Sequence, residues 1–104
     1  MDRPGATGLA VTTLTIIGKP DCHLCEVAGE VVDAVVAELP DAAAERLEIV
    51  EQSITDDPAL YERWWEKIPV VLIDGELHAH WRVSPDRLRR ALDAALSGQE
   101  EEKP

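Results

Sequence analysis

Hydrophobic and polar positions change period several times along this chain, and each change marks an element. "AVTTLTIIG" at 10–18 is apolar and β-branched and stops at a glycine. That pattern predicts a buried first strand over about 11–17. From His23 to Leu39 the period becomes helical. Leu24, Ala28, Val31, Val32, Val35, Val36 and Leu39 recur at steps of three and four, so they share one helix face. Glu26, Glu30, Asp33 and Glu38 lie mostly off that stripe, and Pro40 ends the helix. Gly29 and the valines are poor helix formers, so packing must hold this helix in place.

"ERLEIVEQSI" alternates in part and predicts a second strand over about 46–51. Asp57 ahead of Pro58 is a helix start, for a short helix over about 58–66. "IPVVLI" predicts a third strand that begins at or just after Pro69. Asp74-Gly75 is a two-residue hairpin signal that returns "ELHAHW" as an antiparallel fourth strand. Ser84-Pro85-Asp86 starts a last helix, with Leu88, Ala91, Leu92, Ala95 and Leu96 on one face. The order is βαβ-α-ββ-α. A crossover helix makes the first two strands parallel with a right-handed connection. The expected fold class is therefore α/β, a four-stranded mixed sheet with helices on both faces. Residues 1–10 read as a flexible leader, 11–97 as the folded domain and 98–104 as an acidic flexible tail.

Composition narrows the function classes. A chain of 104 residues is one small domain. It holds no apolar run near the roughly 20 residues of a membrane span, and its first ten residues lack a secretory core. The expected setting is cytoplasmic, with no membrane partner. The formal net charge is −11 and the basic residues form no stripe, which argues against nucleic acid. Abundant Ala, Val, Asp, Glu and Arg give a bias like that of bacterial proteins from GC-rich genomes.

The candidate chemistry is in "KPDCHLC" at 19–25, which holds the only two cysteines, Cys22 and Cys25. In a reducing cytosol such a pair is more often catalytic or metal-binding than a staple. It falls where the first strand hands over to the first helix. There, unpaired N–H groups and the positive end of the helix dipole favour a thiolate on Cys22. Cys25 follows one turn later, close enough to attack the first sulfur. The spacing suits a reversible disulfide in which Cys22 attacks and Cys25 resolves. Lys19 and a donating His23 favour the thiolate, while Asp21 and Glu26 oppose it. The Ile68-Pro69 step is either an ordinary strand start or a cis bond that places backbone beside the cysteines.

These residues carry a resemblance. "KPDCHLC" at 19–25, "IPVVLIDG" at 68–75 and the helix after Ser84 resemble the glutaredoxin branch of the thioredoxin-fold superfamily. The narrower likeness is to small bacterial glutaredoxin-like proteins with a Cys-x-Leu-Cys motif, and it spans about 11–96. The resemblance implies a thioredoxin-like (glutaredoxin-like) three-layer sandwich, with Cys22 as nucleophile, Cys25 as resolving thiol and Pro69 as cis-proline. It also implies a thiol–disulfide oxidoreductase that reduces protein or small-molecule disulfides, and the chain is expected to be a monomer. No resident cofactor or metal is expected, and glutathione or an analogue is the candidate co-substrate. Lys19 corresponds to a lysine that helps hold a glutathione carboxylate. His23, Ile68, Pro69 and Arg82 are further candidate substrate contacts. The sequence departs from the glutaredoxin pattern at His23-Leu24, in place of Pro-Tyr, and at Trp81-Arg82-Val83, where a Gly-Gly turn is usual.

Two other readings compete. His78 and His80 alternate on the fourth strand, which would put both on one face. With Cys22 and Cys25 they would make a zinc set, and an iron–sulfur cluster shared between chains is its variant. The other is a thioredoxin-fold adaptor with little turnover.

Overall fold

The computed structural model describes residues 11–100. The expected leader at 1–10 and the last four residues of the expected tail lie outside the described residues. The elements are β1 (Thr12–Gly18), α1 (His23–Ala37), α2 (Asp41–Ala44), β2 (Leu47–Ser53), α3 (Pro58–Trp64), β3 (Val70–Ile73), β4 (Glu76–His80) and α4 (Pro85–Glu100).

The strands form one sheet in the order β2-β1-β3-β4. β1 and β2 are parallel, from Thr12 opposite Leu47 to Gly18 opposite Ser53. β1 is antiparallel to β3, with Leu14 opposite Ile73 and Ile17 opposite Val70. Alternation along the central β1 sends its two sets of side chains to opposite faces. Leu14 and Ile16 pack with Val32 and Val35 of α1, Val71, and Leu88 and Leu92 of α4. Ile17 packs with Val70, Ile54 and Trp64 on the other side. The result is the expected three layers, with α1 and α4 on one face and α3 on the other.

Several boundaries differ from the sequence pattern, each for a local reason. α1 gives up its helical period at Ala37, not Leu39. The Glu38 and Leu39 N–H groups donate to Val35 and Val36 carbonyls three residues back, which tightens the last turn ahead of Pro40. α2 is a single turn that no periodicity could announce. β2 starts one residue later than expected and runs on to Ser53, because β1 supplies pairing groups as far as Gly18. α3 stops at Trp64, two residues early, and the Lys67 N–H donates to the Trp64 carbonyl beyond it. α4 continues to Glu100, three residues past the expected domain end.

The hairpin follows the sequence signal closely. Asp74 has φ 52° and Gly75 φ 84°, the paired left-handed residues of a type I′ turn. Asp74 also fastens the turn to β1. Its N–H donates to the Thr13 carbonyl at 2.8 Å, and its Oδ1 accepts from the Thr13 N–H at 2.9 Å. No helix among the described residues is long and apolar enough to cross a membrane.

Candidate active site

β1 ends, β3 begins and β4 ends at the same rim of the sheet, so three chain turns are gathered there. After Gly18 the chain turns through Lys19 and Pro20. Asp21 takes a left-handed conformation, φ 56°, one that Asp tolerates better than most residues. This turn delivers Cys22 in extended backbone (φ −115°, ψ 110°) as the N-cap of α1. The Cys22 carbonyl accepts the first helical bond, from the Glu26 N–H at 3.1 Å. Its Sγ accepts from the Cys25 N–H at 3.2 Å. A sulfur thus takes the place that a serine or aspartate oxygen holds at other helix starts. The same N–H group and the positive helix end would stabilise negative charge on that sulfur.

Cys22 and Cys25 are disulfide-bonded, with Cα atoms 5.2 Å apart. Both are half-buried, where sequence position predicts an exposed first cysteine and a more buried second. Gly18 makes room for the pair. A Cβ at that position would lie 2.9 Å from Cys25 Sγ and 3.1 Å from Cys25 Cβ, closer than such contacts allow. Sequence reasoning marks Gly18 only as a strand end, although a glycine four residues before a cysteine is a readable sign of close approach.

The Ile68-Pro69 bond is cis. Because Val70 lies opposite Ile17, Pro69 sits level with Gly18 at the cysteine rim. Its side chain is fully buried, and its carbonyl accepts from the Trp81 N–H at 2.9 Å. Ile68 packs inward against the cluster around Trp64. Trp81 ends β4 one residue earlier than expected, at φ 67°. The Arg82 N–H donates to the His80 carbonyl at 2.7 Å across it, which closes a γ-turn. The Trp81 indole N–H donates to the Glu66 carbonyl at 2.9 Å. Trp81 therefore clamps the segment leading into the cis bond, at the place where the resemblance implies a Gly-Gly turn.

Two unlike hollows flank the first turns of α1, and the disulfide lines the larger. The larger, about 530 Å³, is lined by Lys19, Asp21, Cys22, Cys25, Glu26, Glu51 and Asp56 among others. The smaller, about 220 Å³, is lined by Leu24, Val27, Ala28, Trp81, Arg82 and Val83. Leu24 and Val27 are 44% and 40% exposed and Trp81 is 54% exposed. Placement of Leu24 on the core stripe of the helix is thus corrected. Leu24 is left exposed and forms part of an apolar wall with Val27 and Trp81. Of the candidate contacts, Lys19 joins both cysteines in the larger hollow and Arg82 lies in the smaller. His23 is exposed at the start of α1 and lines neither.

The histidine pair does not share a face. β3 and β4 change register between Val71 and Leu72, so His78 is the extra residue of a bulge. His78 lies against α4, beside Ala91 and Ala95. His80 lies opposite Val70 on the α3 face. Burial first, and then the Arg87 charge, hold the His78 pKa below its usual value. Among the described residues no three His, Cys, Asp or Glu side chains gather to hold a metal ion.

Comparison with known proteins agrees with this geometry. The sequence profile of the Glutaredoxin-like domain (DUF836) matches residues 13–93. Uncharacterized proteins of Mycobacterium bovis and Mycobacterium tuberculosis are 35% identical over 49 residues, which is 47% of this chain and 50% of each relative. The chain thus spans about half the length of the curated relatives it matches. A structural-genomics target protein from X. campestris superposes with TM-score 0.59 at 30% identity, over 78% of this chain and 96% of that one. A chloroplastic thioredoxin z superposes with TM-score 0.65 at 12% identity, over 85% and 80% of the two chains. At that identity the likeness speaks for the fold alone, which is thioredoxin-like.

Proposed function

Because the chain belongs to the glutaredoxin-like domain (DUF836) family, we propose that it is a thiol–disulfide oxidoreductase working through Cys22 and Cys25. The observation that carries this reading is the position of Cys22 Sγ. It caps α1, accepts the Cys25 N–H and is bonded to Cys25. Reduced, Cys22 attacks one sulfur of a substrate disulfide as the thiolate, and the other substrate sulfur leaves as a thiolate that takes up a proton. The Cys25 thiolate then attacks Cys22 Sγ. The intramolecular disulfide forms, the second substrate thiol departs, and two electrons have passed to the substrate. A small thiol or a reductase returns the protein to the dithiol.

Supporting groups have distinct parts. The N–H donor and the helix end favour the Cys22 thiolate. Gly18 keeps Cys25 free to reach Cys22. Lys19 is the one cation lining the cysteine hollow, and Arg82 beside Trp81 is the group to meet a substrate carboxylate on the apolar side. The substrates are disulfide-bearing proteins or small thiols, met by a cytoplasmic monomer. Equilibration in buffers of graded redox potential, with thiols counted by alkylation and mass spectrometry, tests the reading. The expected result is one two-electron transition between dithiol and disulfide, and disulfide reductase activity that disappears in Cys22→Ser. Reductase activity unchanged in Cys22→Ser would refute it.

A further inference from the structure

We infer that the substrate is a polypeptide whose disulfide is flanked by basic residues, and that a mixed disulfide with a net-anionic small thiol such as glutathione is the poorer substrate. This rests on the exchange reading of Cys22 and Cys25 and concerns what that centre selects. Four carboxylates, Asp21, Glu26, Glu51 and Asp56, line the larger hollow with a single cation, Lys19. They come from both sides of the disulfide: the turn and first helical turn carry the cysteines, while Glu51 on β2 and Asp56 lie across from them. A hollow in which one sign of charge predominates concentrates ligands of the opposite sign and repels its own.

The second hollow defines the rest of the occupant. Leu24, Val27 and Trp81 form an exposed apolar wall on the other side of the first turns of α1, with Arg82 and half-buried Val83 beside them. A tripeptide thiol that reached one hollow would leave the other in water. A polypeptide chain that meets the disulfide and continues across the start of α1 covers both, placing apolar side chains on the Trp81 wall and basic ones over the carboxylates. Trp81 also occupies the place where the resemblance implies a Gly-Gly turn. Its backbone N–H is already engaged with Pro69 and its indole N–H with Glu66, so neither donor is free for a small ligand.

The test uses the full chain, reduced beforehand and mixed once with either of two synthetic peptides. Each peptide carries one intramolecular disulfide, flanked in one by Lys and Arg and in the other by Asp and Glu. Single-turnover rates are followed at low salt. The basic peptide should be reduced roughly tenfold faster or more. The gap should close when salt is raised from about 0.01 M to about 1 M, where the screening length falls to a few ångströms. Glu51→Gln with Asp56→Asn should cut the preference to roughly threefold or less. Glu76→Gln with Asp93→Asn, which removes as much charge away from the hollow, should leave the preference in place. Equal rates, a faster acidic peptide, or equal loss of preference in both variants overturns the inference and leaves the dithiol reading standing. Reduction of neither peptide, with no disulfide formed between Cys22 and Cys25, overturns both.

Discussion

At one end of the sheet, β3 turns into β4 through Asp74 and Gly75, and both left-handed residues belong to types that suit the turn. At the other end, left-handed backbone falls on Asp21 and on Trp81. A large aromatic residue in that region costs on the order of 1–3 kcal/mol. Trp81 is held there by its own two donors, to Pro69 and to Glu66. The same rim carries the cis bond, the glycine against which Cys25 packs, and the disulfide. The hairpin end is shaped by what its residues prefer, whereas the cysteine end holds Trp81 against preference. Such conformations persist only where surrounding structure over-determines them, and they gather where chemistry is done.

That contrast can be broken most severely at Cys22. Cys22→Ser should lower reduction of a disulfide substrate by orders of magnitude, with folding by circular dichroism retained. Loss of folding in place of activity would make the pair a staple.

Leu92→Ala strikes the core that both ends share. Leu92 is fully buried with Leu14, Val35 and Val71, so urea unfolding should show a loss of about 2–5 kcal/mol. Two glycine substitutions then separate the ends. Gly18→Ala should cost about 1–3 kcal/mol through overpacking and also slow disulfide closure, because the new methyl group displaces Cys25 Sγ. Gly75→Ala should cost about 1 kcal/mol, since Ala must adopt φ 84°, and should leave closure unaffected. Equal closure rates in the two variants would deny Gly18 its positioning role.

The smallest expected effect concerns His78. Its folded pKa is lowered, so the folded state binds fewer protons than the unfolded chain near the usual value. The stability this contributes is present above the unfolded pKa, about 6.5, and is lost as pH falls through the folded one. Between neutral and mildly acidic pH the native protein should lose more stability than His78→Gln, in paired urea titrations.

Much of this architecture was legible along the chain because it rests on local signals. Period two, period 3.6 and the Asp74-Gly75 turn gave the strands, the long helices and the hairpin. The cysteine spacing at a strand-to-helix junction placed the candidate site. What escaped depends on contacts between distant segments. The bulge that separates His78 from His80 is a register event between β3 and β4, invisible to alternation counted on β4 alone. Leu24 obeys the helical period, yet the period does not say which positions on that face the rest of the fold covers. Glu51 and Asp56 reach the cysteine hollow only because β2 pairs with β1 as far as Gly18.

The most direct test of the central claim is to trap the exchange half-way. Reduced Cys25→Ser protein is mixed with a disulfide-bonded peptide, quenched by alkylation, digested and mapped by mass spectrometry. The account predicts one stable mixed disulfide on Cys22, and none when Cys22→Ser is treated in the same way. A peptide bound through Cys25 in the Cys22→Ser protein at the same rate, or no adduct on Cys22 at all, would contradict it.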